Sequence, residues 1–285
     1  LQSIGKIAFH RSSIKSFIVP KNVIEIGYMS FLECQNLKKF EIENGSKLLS
    51  ISEKLFCNDM YLETLLIPEN SNIKRIEANA FNDTMIKSLF IPKTLEELED
   101  EWCQKMICLN EIIISPKNKY FNYLDKKHEV IIRKSRPNIT NFDTIAFANR
   151  CIQNLKIPNT IKYIDSCAFE NCGDLNYIEI FEDSEITSFL SYFNKCSSFE
   201  NIIILPSTKK INNTINYCYL DDENEIIVRK SDNNTDDFDT IMFVNRTIEY
   251  AFIPESIKFI DNSAFLKCNS LDFVEFSENS KLQQI

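Results

Sequence analysis

The residues best suited to chemistry in this sequence are ten cysteines and two histidines. A zinc or iron site needs such ligands in clusters with short, fixed spacings. His10 and His128 lie far apart, and the closest cysteine pairs, 103/108 and 167/172, are five residues apart rather than three. We therefore expect no metal centre, no cofactor and no catalytic thiol.

Four of the cysteines share one position, three residues after a recurring aromatic side chain: Cys34, Cys172, Cys196 and Cys268. A small hydrophobic side chain suits a buried turn at such a position, and free cysteine behaves as one. We expect buried free thiols. The alternative is a disulfide between neighbouring repeats, such as Cys172–Cys196.

The acidic run at residues 232–239 resembles the start of a calcium-binding loop. It lacks the turn glycine, and Phe243 stands near the place of the bidentate glutamate, so a solvated loop is the expected structure. Six N-x-S/T sequons would accept glycans if the protein is secreted: Asn44, Asn82, Asn138, Asn212, Asn233 and Asn245.

Glycine content and charge exclude several classes of function. The four glycines are scattered, which excludes a P-loop or a dinucleotide-binding fingerprint. The net charge of −9 has the wrong sign for nucleic acid or an acidic membrane surface. No apolar run is long enough to insert into a membrane. We therefore expect a chain that is not an enzyme.

Aromatic residues recur with a regular spacing that predicts a solenoid. Successive spacings are 21–25 residues, with two double-length gaps of 45 and 50. Short β-rich runs ending in proline follow many of them, and an apolar pair at i and i+3 comes next. The recurring aromatics are Phe9, Phe31, Phe56, Phe81, Trp102, Phe147, Phe169, Phe193, Phe243 and Phe265.

A second symmetry fills the two double-length gaps. Residues 123–189 match residues 219–285 at a constant offset of 96 without a gap. Each copy reads as strand, polar turn and strand, which predicts hairpin-like insertions near 118–142 and 214–238. Because the chain begins and ends at the same phase of the repeat, we expect a single solenoid over 1–285, truncated at both ends.

The residues from Ile164 to Cys172, followed by Leu175, Ile178 and Ile180, resemble the leucine-rich repeat of BspA-like surface antigens. That repeat runs I-x-x-x-A-F-x-x-C-x-x-L-x-x-I-x-I-P. The resemblance implies an α/β-type leucine-rich repeat solenoid, β-rich and shaped as a right-handed horseshoe. A parallel sheet would form the concave face, and short irregular or helical segments the convex face, over about ten repeats. Trp102 in place of phenylalanine departs from the pattern.

Strand alternation places one residue of each repeat on the outer, concave face of the sheet. Apolar residues cluster there, and exposed apolar clusters mark contact surfaces on soluble proteins. The alternative is that the strand parity is locally off by one, or that an insertion covers them. The candidate partner-binding residues are Leu66, Phe90, Ile113, Ile202, Ile204, Tyr250 and Phe252.

A repeated surface without catalytic groups favours a protein-interaction or adhesion module. Its ligand would be a protein, such as a host or cell-surface protein. The family resemblance implies a cell-surface or secreted location. The alternative is a cytoplasmic leucine-rich repeat scaffold with no adhesive role. A signal peptide or membrane anchor in the full-length chain would separate the two.

Overall fold

The computed structural model describes residues 1–136, 138–186, 193, 196–206, 215–231 and 237–283, and over them it is a β-solenoid. Numbered along the chain, the strands are β1 Ser3–Ile4, β2 Ser16–Val19, β3 Glu25–Ile26, β4 Lys39–Ile42, β5 Ser50–Ile51, β6 Thr64–Leu66, β7 Arg75–Ile76, β8 Ser88–Ile91, β9 Glu97–Leu98, β10 Glu111–Ile114, β11 Phe121–Tyr123, β12 Val130–Arg133, β13 Thr144–Ala148, β14 Asn154–Lys156, β15 Tyr163–Ile164, β16 Tyr177–Phe181, β17 Asn201–Leu205, β18 Tyr217–Tyr219, β19 Ile226–Arg229, β20 Thr240–Val244, β21 Tyr250–Ile253, β22 Phe259–Ile260 and β23 Phe273–Phe276.

The strands of three to five residues that follow the recurring aromatic residues form a main ladder of parallel pairs. Its hydrogen-bonded groups are β2-β4-β6, β8-β10, β14-β16-β17 and β21-β23. These strands are the β-rich runs of the sequence, and several end at a proline because proline cannot donate to the ladder. Alternate side chains point into the core, as the buried Phe40 and Ile42 of β4 do.

A second ladder consists of two-residue strands, which the sequence analysis recognised only as a recurring apolar pair. It contains β1-β3 and β5-β7-β9, and each strand pairs in parallel with its neighbour. Both residues of the apolar pair are buried, as with Leu48 and Ile51, and the second one lies in the strand. One repeat therefore contributes two strands that enclose the core between them.

The two insertions are antiparallel, as their sequence predicted. In the first, β12 pairs with β11 on one side and with β13 on the other. The second copy repeats this with β18, β19 and β20, including the irregularity in register between Ile227 and Val228. In each copy the last strand joins the second ladder in parallel, through β15 or β22. The sequence duplication is thus also a structural duplication.

The chain separates into two compact units. The first consists of residues 1–151 and 163–172, and the second of residues 152–162 and 173–285. The expectation of a single solenoid over 1–285 stays a prediction. In the first unit, the rings of Phe9, Phe31, Phe56 and Phe81 contact one another in succession, with centroids 4.9, 6.0 and 5.9 Å apart; the first and last pairs are stacked and the middle pair is tilted. The second unit has its own core, which includes Ile241 and Ile253.

The segments that carry Phe9, Phe31, Phe56, Phe81, Phe169 and Phe265, called ladder turns below, are turns and not helices. Phe147 and Phe243, expected in the same ladder, lie instead in β13 and β20. In five turns of the first unit, a residue with positive φ stands two positions before and two positions after the centre, as Lys54 and Asn58 flank Phe56; the turn of Phe169 has only the second, Asn171. Positive φ interrupts a right-handed helix. The prediction of helical segments on the convex face was therefore wrong: over the described residues every regular element is a strand.

Trp102 does not occupy the ladder position that its spacing predicted. The positive-φ residues Glu101 and Lys105 are centred on Cys103, which therefore stands where other turns have phenylalanine. Trp102, one residue earlier, is only 1% exposed, and its ring centroid lies 6.4 Å from that of Phe147. The large ring still fills the core, from the neighbouring position.

Candidate functional site

The first candidate surface is the outer side of the main ladder in the first unit. Leu66 and Ile113 are 43% and 45% exposed, whereas their strand neighbours Leu65 and Ile112 are buried. Phe90 is half-buried and lies in register with Ile113 across the β8–β10 pair. Ile18, which is 55% exposed, lies in the same row two strands from Leu66, with Glu41 of β4 between them. These four residues are called the first face.

Strands β6 and β8 bring Leu66 and Phe90 onto neighbouring strands. The backbone N–H of Met85 donates to the carbonyl of Leu62 at 3.1 Å, and the Lys87 ammonium pairs with the Glu63 carboxylate at 3.2 Å. Since neighbouring strands lie about 4.8 Å apart, three consecutive strands place their outer side chains within about 10 Å. The three apolar residues thus have the spacing of one contact surface.

A tyrosine from the first insertion closes the edge of this sheet. The hydroxyl of Tyr123 accepts a hydrogen bond from the Ile114 N–H at 3.0 Å and donates to the Ile112 carbonyl at 3.0 Å. Its ring stacks on His128, with centroids 3.8 Å apart. The insertion therefore covers the edge of β10 and leaves Ile113 exposed.

The second candidate surface belongs to the second unit. Tyr250, Phe252 and Phe273 are 47%, 46% and 58% exposed, and they are called the second face. Tyr250 and Phe273 lie in register, with stacked rings 5.9 Å apart. The Tyr250 hydroxyl donates to the Glu275 carboxylate at 2.5 Å, and this bond raises the pKa of the tyrosine. These contacts orient two aromatic side chains toward solvent.

An acidic cleft of about 740 Å³ adjoins the second face, and Tyr250 and Phe252 are among its lining residues. Burial raises the pKa of Glu225, and its acidic neighbours raise it further. Ring faces beside carboxylates suit a cationic side chain. The sequence analysis missed the cleft, although its acids stand in one short stretch and directly before Tyr250. The carboxylates in the lining are Asp221, Glu223, Glu225 and Glu249.

Family comparison decides what kind of repeat this is. The model of the BspA type leucine rich repeat region, present in six copies, matches residues 2–126, 117–231 and 223–285. The chain belongs to the BspA-type leucine-rich repeat family. Among curated proteins, none matches it.

Solved structures share the BspA-type fold of this chain at low identity. A leucine-rich cell surface protein of Faecalibacterium prausnitzii is 18% identical, with a TM-score of 0.58 over 100% of this chain and 87% of that one. The pneumococcal vaccine antigen PcpA is 17% identical, with a TM-score of 0.60 over 98% and 68%. A leucine-rich repeat protein of Eubacterium ventriosum is 16% identical, with a TM-score of 0.60 over 96% and 70%.

The predicted placement of Ile202 and Ile204 was off by one residue. In this BspA-type repeat, β17 pairs Ile202 with Ile178 and Ile204 with Ile180, and both partners are fully buried. Ile202 is itself fully buried. The outer residue is Ile203, opposite Glu179. A shift of one residue moves every side chain of a strand to the other side of the sheet.

The cysteines of the BspA-type repeats are all free, but they are not all buried. Cys151 is exposed, and Cys57, Cys108, Cys218 and Cys268 are half-buried. In the described residues, no cluster of three or more histidine, cysteine or acidic side chains has the geometry of a metal site. Most of the calcium-like run, residues 232–236, lies outside the described residues.

Four of the six sequons fall within the described residues of the BspA-type repeats, and Asn212 and Asn233 fall outside them. Asn44 and Asn138 are exposed. The Asn82 amide instead donates to the side chains of Asn79 and Gln104 at 3.0 and 2.8 Å. Across the described part of the chain, no helix has the length and apolar character needed to cross a membrane.

Proposed function

We propose that this chain is a non-catalytic protein-interaction module that serves in adhesion at a cell surface. It binds a protein partner on the outer side of the main ladder. The observation that carries the proposal is the row of Leu66, Phe90 and Ile113 on consecutive strands, exposed or half-exposed beside their buried neighbours. Contiguous exposed apolar residues are rare on soluble proteins unless they make contacts, and a central aromatic residue often contributes most of the binding energy.

The cell-surface location is supported by the relatives. The Faecalibacterium protein is described as a cell surface protein and PcpA as a vaccine antigen. The second candidate is an intracellular scaffold with the same fold. A signal peptide or a membrane anchor in the full-length protein would favour the cell-surface module. Retention of the full-length protein in the cytoplasm would favour the intracellular scaffold.

The second face provides a further contact surface with a different chemistry. Its aromatic rings adjoin the acidic cleft, so a partner segment that carries lysine or arginine fits it best. The net charge of −9 also favours a basic partner, since it attracts positive charge over distances of about one Debye length.

The test compares two variants of exposed aromatic residues. Beads that carry the chain are measured for attachment to epithelial and bacterial cells, using the wild type, Phe90→Ser and Tyr163→Ser. Tyr163 is the matched control because it is 52% exposed but lies on the second ladder. We expect Phe90→Ser to weaken attachment at least tenfold, since an anchor residue contributes about 2 kcal/mol or more.

Thermal unfolding of the same variants shows whether the fold is intact. We expect Phe90→Ser to cost about 1 kcal/mol or less. A loss of several kcal/mol would mean that Phe90 belongs to the core and would remove the first face from the proposal. Equal attachment of all three proteins, or no attachment by the wild type, would overturn the proposed function itself.

A further inference from the structure

Two cysteines from distant parts of the first unit meet in its core. The Sγ atoms of Cys103 and Cys167 lie 2.7 Å apart, although 64 residues separate them in sequence. Both residues are buried. Non-bonded carbon atoms already have their optimal separation at about 3.5–4.0 Å, whereas a disulfide joins its sulfurs at about 2.05 Å. The observed separation is too short for two sulfurs that merely touch.

The turns that carry the two cysteines are held together by other contacts as well. The Ser166 hydroxyl donates to the Asp100 carboxylate. The turn of Cys167 is also fixed against β12, because Asp165 accepts two hydrogen bonds from the Arg133 guanidinium, at 2.8 and 2.7 Å. The pair is therefore brought together by the fold and does not depend on a bond between the sulfurs.

The duplicated copy provides an internal comparison. At the offset of 96, Ser263 stands where the first copy has Cys167. The rest of the turn is retained, because both copies keep the carboxylate paired with arginine and the cysteine three residues after the aromatic. A serine thus stands at the equivalent position of the duplicated turn, so a turn forms there without a thiol.

The backbone at this position also differs between the copies. Ser263 has a φ of +68°, like the residue two positions before the centre of most other ladder turns. Cys167 does not have positive φ. The thiol is therefore aimed at Cys103 by a departure from the conformation that its duplicate adopts.

A buried cation adjoins the pair. The Nη2 of Arg150 lies 3.7 Å from the Cys103 Sγ, and its Nε, buried within the protein, has no hydrogen-bond partner. The guanidinium lies over the Phe147 ring, 4.6 Å from the centroid. The contact with Cys103 and burial in the core raise the pKa of the Cys167 thiol well above its ordinary value. The thiolate is the form of cysteine that attacks a disulfide, so the exchange belongs to folding, before the pair is buried.

We propose that Cys103 and Cys167 form a disulfide when the protein folds in an oxidising compartment. The oxidant is a small-molecule disulfide such as oxidised glutathione. The Cys103 thiolate attacks one of its sulfurs and releases one thiol. The Cys167 thiol then loses its proton, attacks the mixed disulfide and releases the second thiol. Two protein thiols and one small disulfide thereby give one protein disulfide and two small thiols, and the link joins the turns before and after the first insertion.

The test refolds the protein from urea in a buffer of reduced and oxidised glutathione, then blocks free thiols and maps the peptides by mass spectrometry. Cleavage after lysine, arginine and glutamate gives peptides 102–105 and 163–170, each with a single cysteine. We expect these two peptides to be joined, the intact protein to be lighter by two hydrogen atoms, and eight thiols to remain reactive in urea. Cys167→Ser, which copies the serine of the second repeat block, should keep all nine of its thiols.

Thermal unfolding then measures the effect of the link. We expect the oxidised wild type to unfold several degrees higher than its reduced form, and Cys167→Ser to show no such difference. Ten reactive thiols in the wild type would overturn the proposal, as would a link between other cysteines. Because mapping is done on the wild type, the result stands even if a variant fails to fold.

Discussion

At the scale of single residues, Asp59 is the carboxylate placed least favourably for its charge. It stands three residues after Phe56, where other ladder turns have Cys34 or Thr84, and it is fully buried. One carboxylate oxygen accepts the Cys34 N–H at 2.6 Å, and the other has no partner. Burial raises the pKa of Asp59 to about 8. The carboxyl group is therefore neutral in the folded protein at acidic and neutral pH.

Asp59 makes stability depend on pH. Its folded pKa lies above the ordinary value of 3.8, so between about pH 4 and pH 8 the folded state holds a proton that the unfolded state has lost. The contribution is fully present below pH 4 and declines toward pH 8, by at most about 1.4 kcal/mol per pH unit. We expect Asp59→Asn, which mimics the neutral acid, to abolish this decline in urea unfolding at pH 5 to 8.

The control for this prediction is Asp174→Asn, since Asp174 is exposed. Its unfolding free energy should follow the wild type at every pH. If the curves of the wild type and Asp59→Asn run parallel between pH 5 and 8, Asp59 does not retain its proton in the folded state.

Phe169 tests the aromatic core of the ladder turns. Its side chain is fully buried, so Phe169→Ala should reduce the free energy of unfolding by about 3–5 kcal/mol. Phe273→Ala is the comparison, because that ring is 58% exposed and its loss should cost about 0.5 kcal/mol. Equal effects in urea unfolding would contradict the assignment of Phe169 to the core.

The spacing of the aromatics predicted most of these core positions, because one residue per repeat must fill the space between the two ladders. It could not predict the exchange at Trp102 and Cys103. Both are apolar side chains in adjacent positions, and a count of spacing does not show which one stands at the centre of the turn. The positive φ of Glu101 and of Lys105 shows that Cys103 is the centre of the turn. Glutamate and lysine are not residue types that favour positive φ, so the sequence does not indicate this conformation.

At the scale of elements, the turn of each insertion hairpin is organised by one aspartate. The Asp125 carboxylate accepts the N–H groups of Lys127, Glu129 and Val130 at 2.6, 3.3 and 3.1 Å. Asp221 does the same for Glu225 and Ile226 at 2.7 and 2.8 Å. Aspartate commonly stabilises turns through such bonds to following N–H groups.

We expect Asp125→Ala to reduce the free energy of unfolding by about 1–2 kcal/mol, because three N–H groups lose an ionised acceptor. Asp125→Asn, which keeps an acceptor oxygen, should cost less. Asp222→Ala serves as the control, since Asp222 is exposed beside the equivalent turn. Urea unfolding measures all three, and an unchanged Asp125→Ala would show that the turn forms without its aspartate.

The inward and outward sides of the strands were predictable where polar and apolar residues alternate, as in Lys-Phe-Glu-Ile of β4. They were not predictable in β17, whose sequence Asn-Ile-Ile-Ile-Leu has no alternation. There the register is set by pairing with β16, which places Ile203 and not Ile204 opposite Glu179. When all residues of a strand are apolar, pairing with the neighbouring strands determines which side chains face outward. The family resemblance does not determine this either.

At the scale of the whole molecule, the two faces differ in how charge should affect binding. The first face is apolar, whereas the second face adjoins the four carboxylates of the acidic cleft. For a basic partner, we expect Glu223→Gln with Glu249→Gln to slow association and to reduce its dependence on salt, since exposed charges act mainly on association rates.

The matched comparison is Phe90→Ser, which should speed dissociation and leave the salt dependence unchanged. Association and dissociation rates at 50 and 500 mM NaCl measure both effects. A salt dependence that is the same in the wild type and in the glutamine variant would exclude the acidic cleft from binding.

The tyrosines of the two insertions bear on whether strands of other chains can add to the sheet edges. Tyr123 bonds to the backbone of β10, and the Tyr219 hydroxyl accepts the Ile204 N–H at 3.0 Å. Both strands stand at the end of their hydrogen-bonded groups in the main ladder. An uncovered strand edge is a template on which the strand of another chain can add, and repeated addition gives fibrils. By occupying these edges, the insertions act as terminators of sheet growth and allow apolar side chains to remain exposed at low risk of aggregation.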